Sequence, residues 1–167
     1  MNRSSVVRAI LLVALVSAAG MAQADQSSAV LGWVEEVAVL NTGLILNAKI
    51  DTGADNSSIN ATDIEYFTHD GHRWVRFNIQ DHKGAQIIME RPLVRVGQIK
   101  RKEGGYIERP VVTLGFCVAG LRIDAEVNLA NRNHFKYPML VGRSLMTRHF
   151  VVDPERQYVT HPVCAAA

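Results

Sequence analysis

The sequence predicts an all-β fold, arranged as a barrel or a sandwich. Most of the chain beyond residue 30 consists of short apolar segments separated by Gly, Pro, Asn and Asp, which are typical of turns. Several of these segments alternate apolar and polar residues, the pattern of a strand with one buried face. The pattern contains no long amphipathic segments of the kind that connect parallel strands in βαβ folds.

The individual strands follow from these segments in chain order. The first two, 33–40 and 44–50, flank Asn41-Thr42-Gly43, which is typical of a tight hairpin connection. Strand 74–79 follows a second turn at 69–72. Further strands are predicted at 86–90, 93–99, 106–114, 121–129, 139–141 and 150–152. The stretch 142–150 has apolar residues at helical spacing instead, and predicts one short helix of at most two turns.

The first 24 residues resemble a secretory signal peptide. Arg3 and Arg8 precede a short apolar run, 9–16, and Ala22-Gln23-Ala24 is a typical cleavage site before Asp25. An uncleaved anchor is the alternative, although the apolar run is shorter than the roughly 20 residues that span a bilayer. We therefore expect a periplasmic or secreted domain, residues 25–167, with no stable membrane association after cleavage.

Charge and cysteine content narrow the function classes. Without the leader, the chain has 16 basic and 16 acidic residues, and the dense charged run 100–103 fits a solvated loop. Nucleic-acid binding, which requires a basic surface, is therefore not expected. Cys117 and Cys164 could form a disulfide in an oxidising compartment, or remain two buried thiols. No paired Cys/His spacing indicates a structural zinc site.

Asp51-Thr52-Gly53-Ala54 is the segment best suited to chemistry. It follows the apolar strand 44–50, so the carboxylate lies at a strand end and is followed by a small hydroxyl residue and a glycine. Aspartic proteases hold their nucleophilic water with such a carboxylate. The tripeptide alone is weak evidence and requires structural context. A second signature, Leu140-Val141-Gly142-Arg143, ends an apolar strand near the C-terminus and precedes the predicted helix.

With both signatures in this order, the chain resembles the retropepsin-like aspartic proteases. It is most similar to a bacterial branch named retropepsin-like aspartic endopeptidases, or ATP-dependent zinc proteases. Asp55 departs from that branch, in which a basic residue is expected, and matches the retroviral enzymes instead. The similarity to the branch extends over Leu31-Gly32-Trp33, 61–65, 74–77, 108–111, Asn131-Arg132 and 152–154.

The resemblance implies a closed β-barrel with one short C-terminal helix and a homodimeric active site. A single carboxylate cannot both accept a proton from water and deliver one to the scissile carbonyl. Since the chain has one Asp-Thr-Gly, we expect Asp51 of each subunit to meet on a two-fold axis and share one proton. Thr52 would lock the two loops together, Gly53 would permit close approach, and Ala54 would leave room for substrate.

Further residues are expected to support the site. Asp55 and Arg143 would form a buried ion pair, with Gly142 at the start of the helix. Arg109-Pro110 and Asn131-Arg132 could line the cleft or could instead form ordinary turns. A peptide or protein substrate would bind as an extended strand. The flap over it would have its tip at Gly104-Gly105, unless these glycines form an ordinary hairpin turn.

Two rival functions remain open. The first is a noncatalytic β domain that binds peptides or partners and keeps a protease fold. The second is a zinc-dependent protease, although the six histidines include no His-Glu-x-x-His sequence. No cofactor is expected. ATP dependence is disfavoured because the chain has no phosphate-binding glycine loop and an exported domain meets no ATP.

Overall fold

A computed structural model describes residues 28–100 and 104–165. The predicted signal peptide and its cleavage site after Ala24 lie outside these residues, as does the run 101–103. The described residues form these strands and one helix: β1 Ala29–Gly32, β2 Val34–Val39, β3 Ile45–Ile50, β4 Ser57–Asn60, β5 Thr62–His69, β6 His72–Gln80, β7 Gln86–Pro92, β8 Arg95–Lys100, β9 Tyr106–Val118, β10 Leu121–Ala130, β11 Met139–Val141, α1 Arg143–Met146 and β12 Phe150–Asp153.

The prediction of an all-β fold with one short C-terminal helix is confirmed. The predicted strand 33–40 is observed as β2, whereas β1 was not predicted and is separated from β2 by a bend at Trp33. The Trp33 N–H donates to the Arg156 carbonyl while its own carbonyl accepts from Ile50, so the backbone changes partners there. Strands β4 and β5 were not predicted, because polar residues such as Ser57 and Ser58 interrupt the apolar pattern from which strands are predicted.

Six strands of the largest sheet are hydrogen-bonded in a ring. The seven-stranded sheet has the order β10-β4-β11-β3-β2-β9-β8, and an additional antiparallel pairing joins β10 to β9. Strand β8 lies outside this ring and pairs with β9 as an antiparallel hairpin. The ring agrees with the expected fold, and the closed barrel stays a prediction. Most pairs are antiparallel, but β11 runs parallel to β3, so these two strands end side by side.

Two smaller sheets complete the fold around one core. Strands β5, β6 and β7 form an antiparallel sheet, whose Val75, Phe77 and Ile79 are buried in the same apolar cluster as Leu46 and Phe116. Strands β1 and β12 form a parallel pair. No helix in the described residues has the length and apolar character needed to cross a bilayer.

The C-terminal segment is tied back onto β1 and β2 by the buried side chain of Glu35. Its carboxylate is fully buried and accepts hydrogen bonds from the backbone N–H groups of Gly32, Val159 and Thr160, and from the Thr160 hydroxyl. Farther along, a disulfide joins Cys117 to Cys164, with Cα atoms 5.9 Å apart. Of the two alternatives for the cysteines, the disulfide is therefore confirmed.

Candidate active site

Asp51 lies where the parallel strands β3 and β11 end together. Ile50 is paired with Val141, and the Asp51 N–H donates to the Val141 carbonyl at 2.9 Å. The chain then leaves the sheet in a tight turn, closed by a hydrogen bond from the Ala54 N–H to the Asp51 carbonyl at 3.2 Å. The two sequence signatures, far apart in the chain, are therefore adjacent in the structure.

The Asp51 carboxylate is held by two groups and stays accessible. The Gly53 N–H donates to Oδ1 at 3.0 Å, and the Lys49 ammonium lies 3.3 Å from Oδ2. The Asp51 side chain is 26 % exposed. A β-carbon at position 53 would lie 3.2 Å from Oδ1, a tight contact, so glycine there lets the backbone approach the carboxylate.

The helix start supports the loop through both backbone and side chain. The N–H groups of Arg143 and Ser144 donate to the carbonyls of Ala54 and Asp55 at 2.9 and 3.0 Å. The Arg143 guanidinium donates through Nη1 to the Thr52 carbonyl at 2.8 Å and pairs through Nη2 with Asp55. The expected ion pair is present, but it is exposed and not buried as predicted, with side chains 49 % and 78 % exposed. Such a pair orients the loop more than it stabilises the fold.

Gly142 packs directly against the loop that carries Asp51. Its N–H donates to the buried Ser57 hydroxyl at 3.1 Å. A β-carbon added to it would lie 2.6 Å from the carbonyl carbon and oxygen of Asn56 and 3.1 Å from the Ala54 carbonyl. Only glycine lets the start of α1 pack this closely on the loop that carries Asp51.

Two arginines that the sequence suggested for the cleft come from β9 and from the segment after β10. Arg132 follows β10 and is only 8 % exposed, while Arg109 in β9 is half-buried. Burial lowers the pKa of Arg132, the charge of Arg109 lowers this pKa further, and Asp51 acts in the opposite direction. Burial also lowers the pKa of Arg109. Both guanidinium groups remain cations, and the charge of Arg132 interacts with those of both Arg109 and Asp51.

The structure thus brings Asp51, Thr52, Gly53, Ala54, Asp55, Gly142 and Arg143 into one site. Thr52 is exposed at its outer surface, and its role between subunits stays a prediction. Lys49 was missed in the sequence, although strand alternation places it on the same face as Asp51. Ser57 gave no sequence signal, because its role depends on contact with Gly142.

The expected flap lies at the end of the β8–β9 hairpin. The last pair of this hairpin joins Lys100 to Tyr106. Gly104 and Gly105 have φ angles of +93° and +78° and no atoms close to an added β-carbon. This arrangement agrees with an exposed turn, and the flap role stays a prediction. The described residues contain no group of three or more His, Cys, Asp or Glu side chains placed to hold a metal ion.

Residues 30–162 match a protein family described as RimB-like, the retropepsin-like aspartic endopeptidase RimB. The chain belongs to this family. The match runs from the second residue of β1 through β12 and includes both halves of the Asp51 site. The family assignment made from the two signatures is therefore confirmed.

Similar proteins carry two kinds of description. A crystal structure of a Legionella pneumophila protein of unknown function (DUF785) is 33 % identical, with a TM-score of 0.69, and the match covers 81 % of this chain and all of that one. Proteins named probable alpha-L-glutamate ligase, from Desulfotalea psychrophila and Shewanella pealeana, are 30 % and 31 % identical over 67 % and 68 % of this chain. The matched region is 25 % of each ligase, so this chain spans about a quarter of their length.

Proposed function

We propose that the protein is an exported, homodimeric aspartic endopeptidase in which Asp51 of each subunit supplies one carboxylate of the catalytic pair. The observation that carries the proposal is the position of Asp51. Its carboxylate lies on an accessible turn at the end of two parallel strands, fixed by the Gly53 N–H and braced from behind by Gly142 and Arg143. Fixed backbone donors of this kind orient a carboxylate for reaction with water.

The homodimer follows from the chemistry of one carboxylate. Within the described residues, Asp51 contacts Lys49 and Gly53, and no second carboxylate contacts it. Asp55, the other acid of the loop, is paired with Arg143. The second carboxylate is therefore supplied by Asp51 of another copy. One Asp51 takes a proton from the attacking water while the other, protonated, donates to the carbonyl oxygen of the scissile bond.

The contact between Lys49 and Asp51 is compatible with this dimer. The Lys49 side chain is 47 % exposed, and ion pairs at such exposure contribute at most about 1 kcal/mol. Lys49 therefore moves aside at little cost when a second carboxylate approaches. Within a dimer, its ammonium would offset part of the repulsion between two acidic groups.

The substrate is a peptide or protein segment in extended conformation. Among residues 28–100 and 104–165, strand β8 pairs with β9 alone, so its other edge offers backbone groups that can bind a peptide as an added strand. The β8–β9 hairpin, with Gly104-Gly105 near its tip, would act as the flap over the bound segment. Hydrolysis then adds water across one peptide bond and releases a new carboxylate and a new amine.

Export is supported by the leader-like sequence 1–24 and by the disulfide between Cys117 and Cys164. Disulfides persist in oxidising compartments such as the periplasm. The ligase activity named for the larger relatives is not extended to this chain, because the matched region makes up a quarter of those proteins.

The test is to replace Asp51 by Asn and measure cleavage of an unstructured protein at mildly acidic pH. Asn keeps an oxygen that can accept from Gly53, so the fold should survive while turnover falls at least about 10³-fold. Asp70→Asn is the matched control, because Asp70 lies in an exposed turn at φ +48°, a conformation that Asn tolerates. Turnover unaffected by Asp51→Asn would refute the proposal, and loss of activity with a chelator would favour the metal-dependent alternative.

A noncatalytic domain gives a different result. In that case the unchanged protein would cleave nothing and Asp51→Asn would leave peptide binding unaltered. Sedimentation gives a second check, since the proposal predicts a dimer under the conditions of cleavage. An active protein that stays monomeric at every concentration would contradict the two-carboxylate mechanism.

A further inference from the structure

A polar cleft lies beside the turn that joins β2 to β3, at the end of β3 opposite Asp51. It has a volume of about 290 Å³. The six residues of β3 separate that turn from Asp51 by roughly 20 Å, at about 3.3 Å per residue. The cleft is therefore distinct from the candidate active site. Its lining residues are Leu40, Asn41, Arg91, Gly115, Arg122 and Asp124.

Two arginines give this cleft a positive charge. Among residues 28–100 and 104–165, neither Arg91 nor Arg122 has an acidic group within ion-pair distance. Asp124 is the one acid of the lining, so the net charge of these three side chains is +1. This charge matches a single carboxylate better than a phosphate monoester, whose charge is about −2. Guanidinium groups bind carboxylates with planar, charge-assisted hydrogen bonds.

Each arginine is anchored at one nitrogen by a neutral group. Arg91 Nη1 donates to the Glu90 carbonyl at 2.7 Å, and Arg122 Nη1 donates to the Ala165 carbonyl at 3.2 Å. These carbonyls hold the side chains in position without neutralising them. Both guanidinium groups keep further N–H donors for a ligand.

Gly115 keeps the floor of the cleft open. It pairs with Asp124 across β9 and β10, and the Leu40 N–H donates to its carbonyl at 2.9 Å. A β-carbon added to Gly115 would lie 2.9 Å from Asp124 Oδ1 and 3.1 Å from Leu40 Cδ1. Any side chain at this position would therefore occupy part of the cleft.

A second cleft continues from the first along β7. It shares Asn41 and Arg91 with the first cleft, has a volume of about 380 Å³, and is lined by Thr42 and the consecutive residues 87–90. Consecutive residues of a strand point to opposite faces of the sheet, so a cleft lined by all of them follows the edge of the strand. Among the strands that the structure describes, β7 pairs with β6 alone.

The register of β6 and β7 shows which backbone groups face the second cleft. The Leu93 N–H donates to the Arg73 carbonyl at 2.9 Å, so by alternation the odd-numbered residues of β7 bond to β6. Even-numbered residues such as Ile88 and Glu90 therefore turn their N–H and C=O groups to the other edge. An extended peptide can pair with such groups as an added strand. Because the Glu90 carbonyl accepts from Arg91, that guanidinium lies where the added strand would end.

We propose that these two clefts form a docking site for the free C-terminus of a peptide or protein. The terminal carboxylate binds between Arg91 and Arg122, and the residues before it extend along β7 as an added strand. The arginines select the carboxylate, while the backbone of β7 accepts many sequences. The site is separate from Asp51 and does not depend on the proposed peptidase activity.

The test measures binding of a short fluorescent peptide whose last residues alternate Thr and Val. Fluorescence anisotropy is recorded with Asp51→Asn protein, so that cleavage does not interfere. One form of the peptide has a free C-terminus, the second has a C-terminal amide, and the third combines the amide with an internal Glu. We expect the free acid to bind at least about tenfold more tightly than either amide.

Three variants assign this preference to the cleft. The double variant Arg91→Gln/Arg122→Gln should bind the free acid and the amide equally, with little change in melting temperature because both arginines bond to carbonyls only. Gly115→Ala fills the floor without removing a charge, and should weaken binding of the free acid while leaving binding of the amide nearly unchanged. Arg156→Gln, which changes an exposed arginine paired with Asp153, is the control and should keep the full preference.

Three outcomes would overturn the proposal. The first is equal binding of the free acid and the amide to the Asp51→Asn protein, and the second is a preference that the double arginine variant retains. The third is equal binding of the free acid and the Glu-containing amide, which would assign the site to acidic side chains instead. Because binding is measured without cleavage, a failure of the peptidase proposal would leave this result unaffected.

Discussion

Replacing Gly142 by Ala tests whether the C-terminal signature positions the Asp51 loop. The backbone of Gly142 has φ −96° and ψ 176°, which alanine adopts freely, so any effect comes from the added β-carbon. That atom would lie 2.6 Å from the Asn56 carbonyl group, about 0.8 Å short of ordinary van der Waals contact in a close-packed interior. The obstructing atoms are backbone, so the loop or α1 must move.

The expected magnitudes follow from that displacement. Overpacking of this kind costs about 1–3 kcal/mol of folding free energy. A shift near 1 Å at a reacting group can lower the rate by about 100-fold. Gly142→Ala should therefore lower kcat far more than its modest loss of stability would suggest, since the displaced loop is the one that carries the carboxylate.

The assay compares melting temperature and peptide turnover with those of Gly71→Ala. Gly71 lies at φ +75° in an exposed turn with no atoms near an added β-carbon, so alanine costs about 1–2 kcal/mol there through backbone strain alone. Both variants should lose similar stability, but only Gly142→Ala should lose turnover. If Gly142→Ala kept turnover within twofold of the unchanged protein, the reasoning about loop position would be refuted.

Three further outcomes are expected for stability. Glu35→Gln should lower the free energy of unfolding by about 1–3 kcal/mol in urea titrations, because the amide NH₂ would face N–H groups whose hydrogen bonds the buried carboxylate now accepts. Glu36→Gln is the control, and equal losses of stability in the two variants would contradict this reasoning. Replacing Cys117 and Cys164 together by Ser should cost about 4 kcal/mol, since the disulfide closes a loop of 47 residues in separation, and an unchanged urea midpoint would count against it. A backbone N–H and a nearby guanidinium hold the pKa of Asp153 below its ordinary value, so its contribution to stability is complete above that value and is lost as pH falls through the lowered pKa. Asp153→Asn should therefore flatten the stability profile below about pH 4, and an identical acid-side decline would refute this assignment.

The part of the candidate site around Asp51 and Arg143 could be predicted because its signal is local. Asp51 and Arg143 each follow an apolar strand, and glycines beside them permit close approach. That the two segments lie together was implied by the expected Asp55–Arg143 ion pair and not by periodicity. The exposure of the Asp55–Arg143 pair could not be read from the sequence, since it depends on how far the turn protrudes from the sheet.

Other features depend on contacts distant in the chain. Glu35 looks like a solvated residue of an alternating strand, yet it is fully buried because Val159 and Thr160, more than 120 residues later, bring their N–H groups to it. Strand β4 was not predicted, because its buried residue Ser57 is polar and is accommodated in the interior by a hydrogen bond from Gly142. Arg132 gave no signal of burial, because its environment is assembled from β4 and from the segment after β10.

The central claim, that two Asp51 carboxylates act together, is tested most directly by mixing subunits. Unchanged and Asp51→Asn protein are unfolded together with the disulfide intact, refolded at a series of ratios and assayed at constant total concentration. If each active site needs one Asp51 from both subunits, activity follows the square of the unchanged fraction, roughly a quarter at equal mixing. Activity that falls in simple proportion, roughly half at equal mixing, would mean that each subunit works alone and would contradict the account.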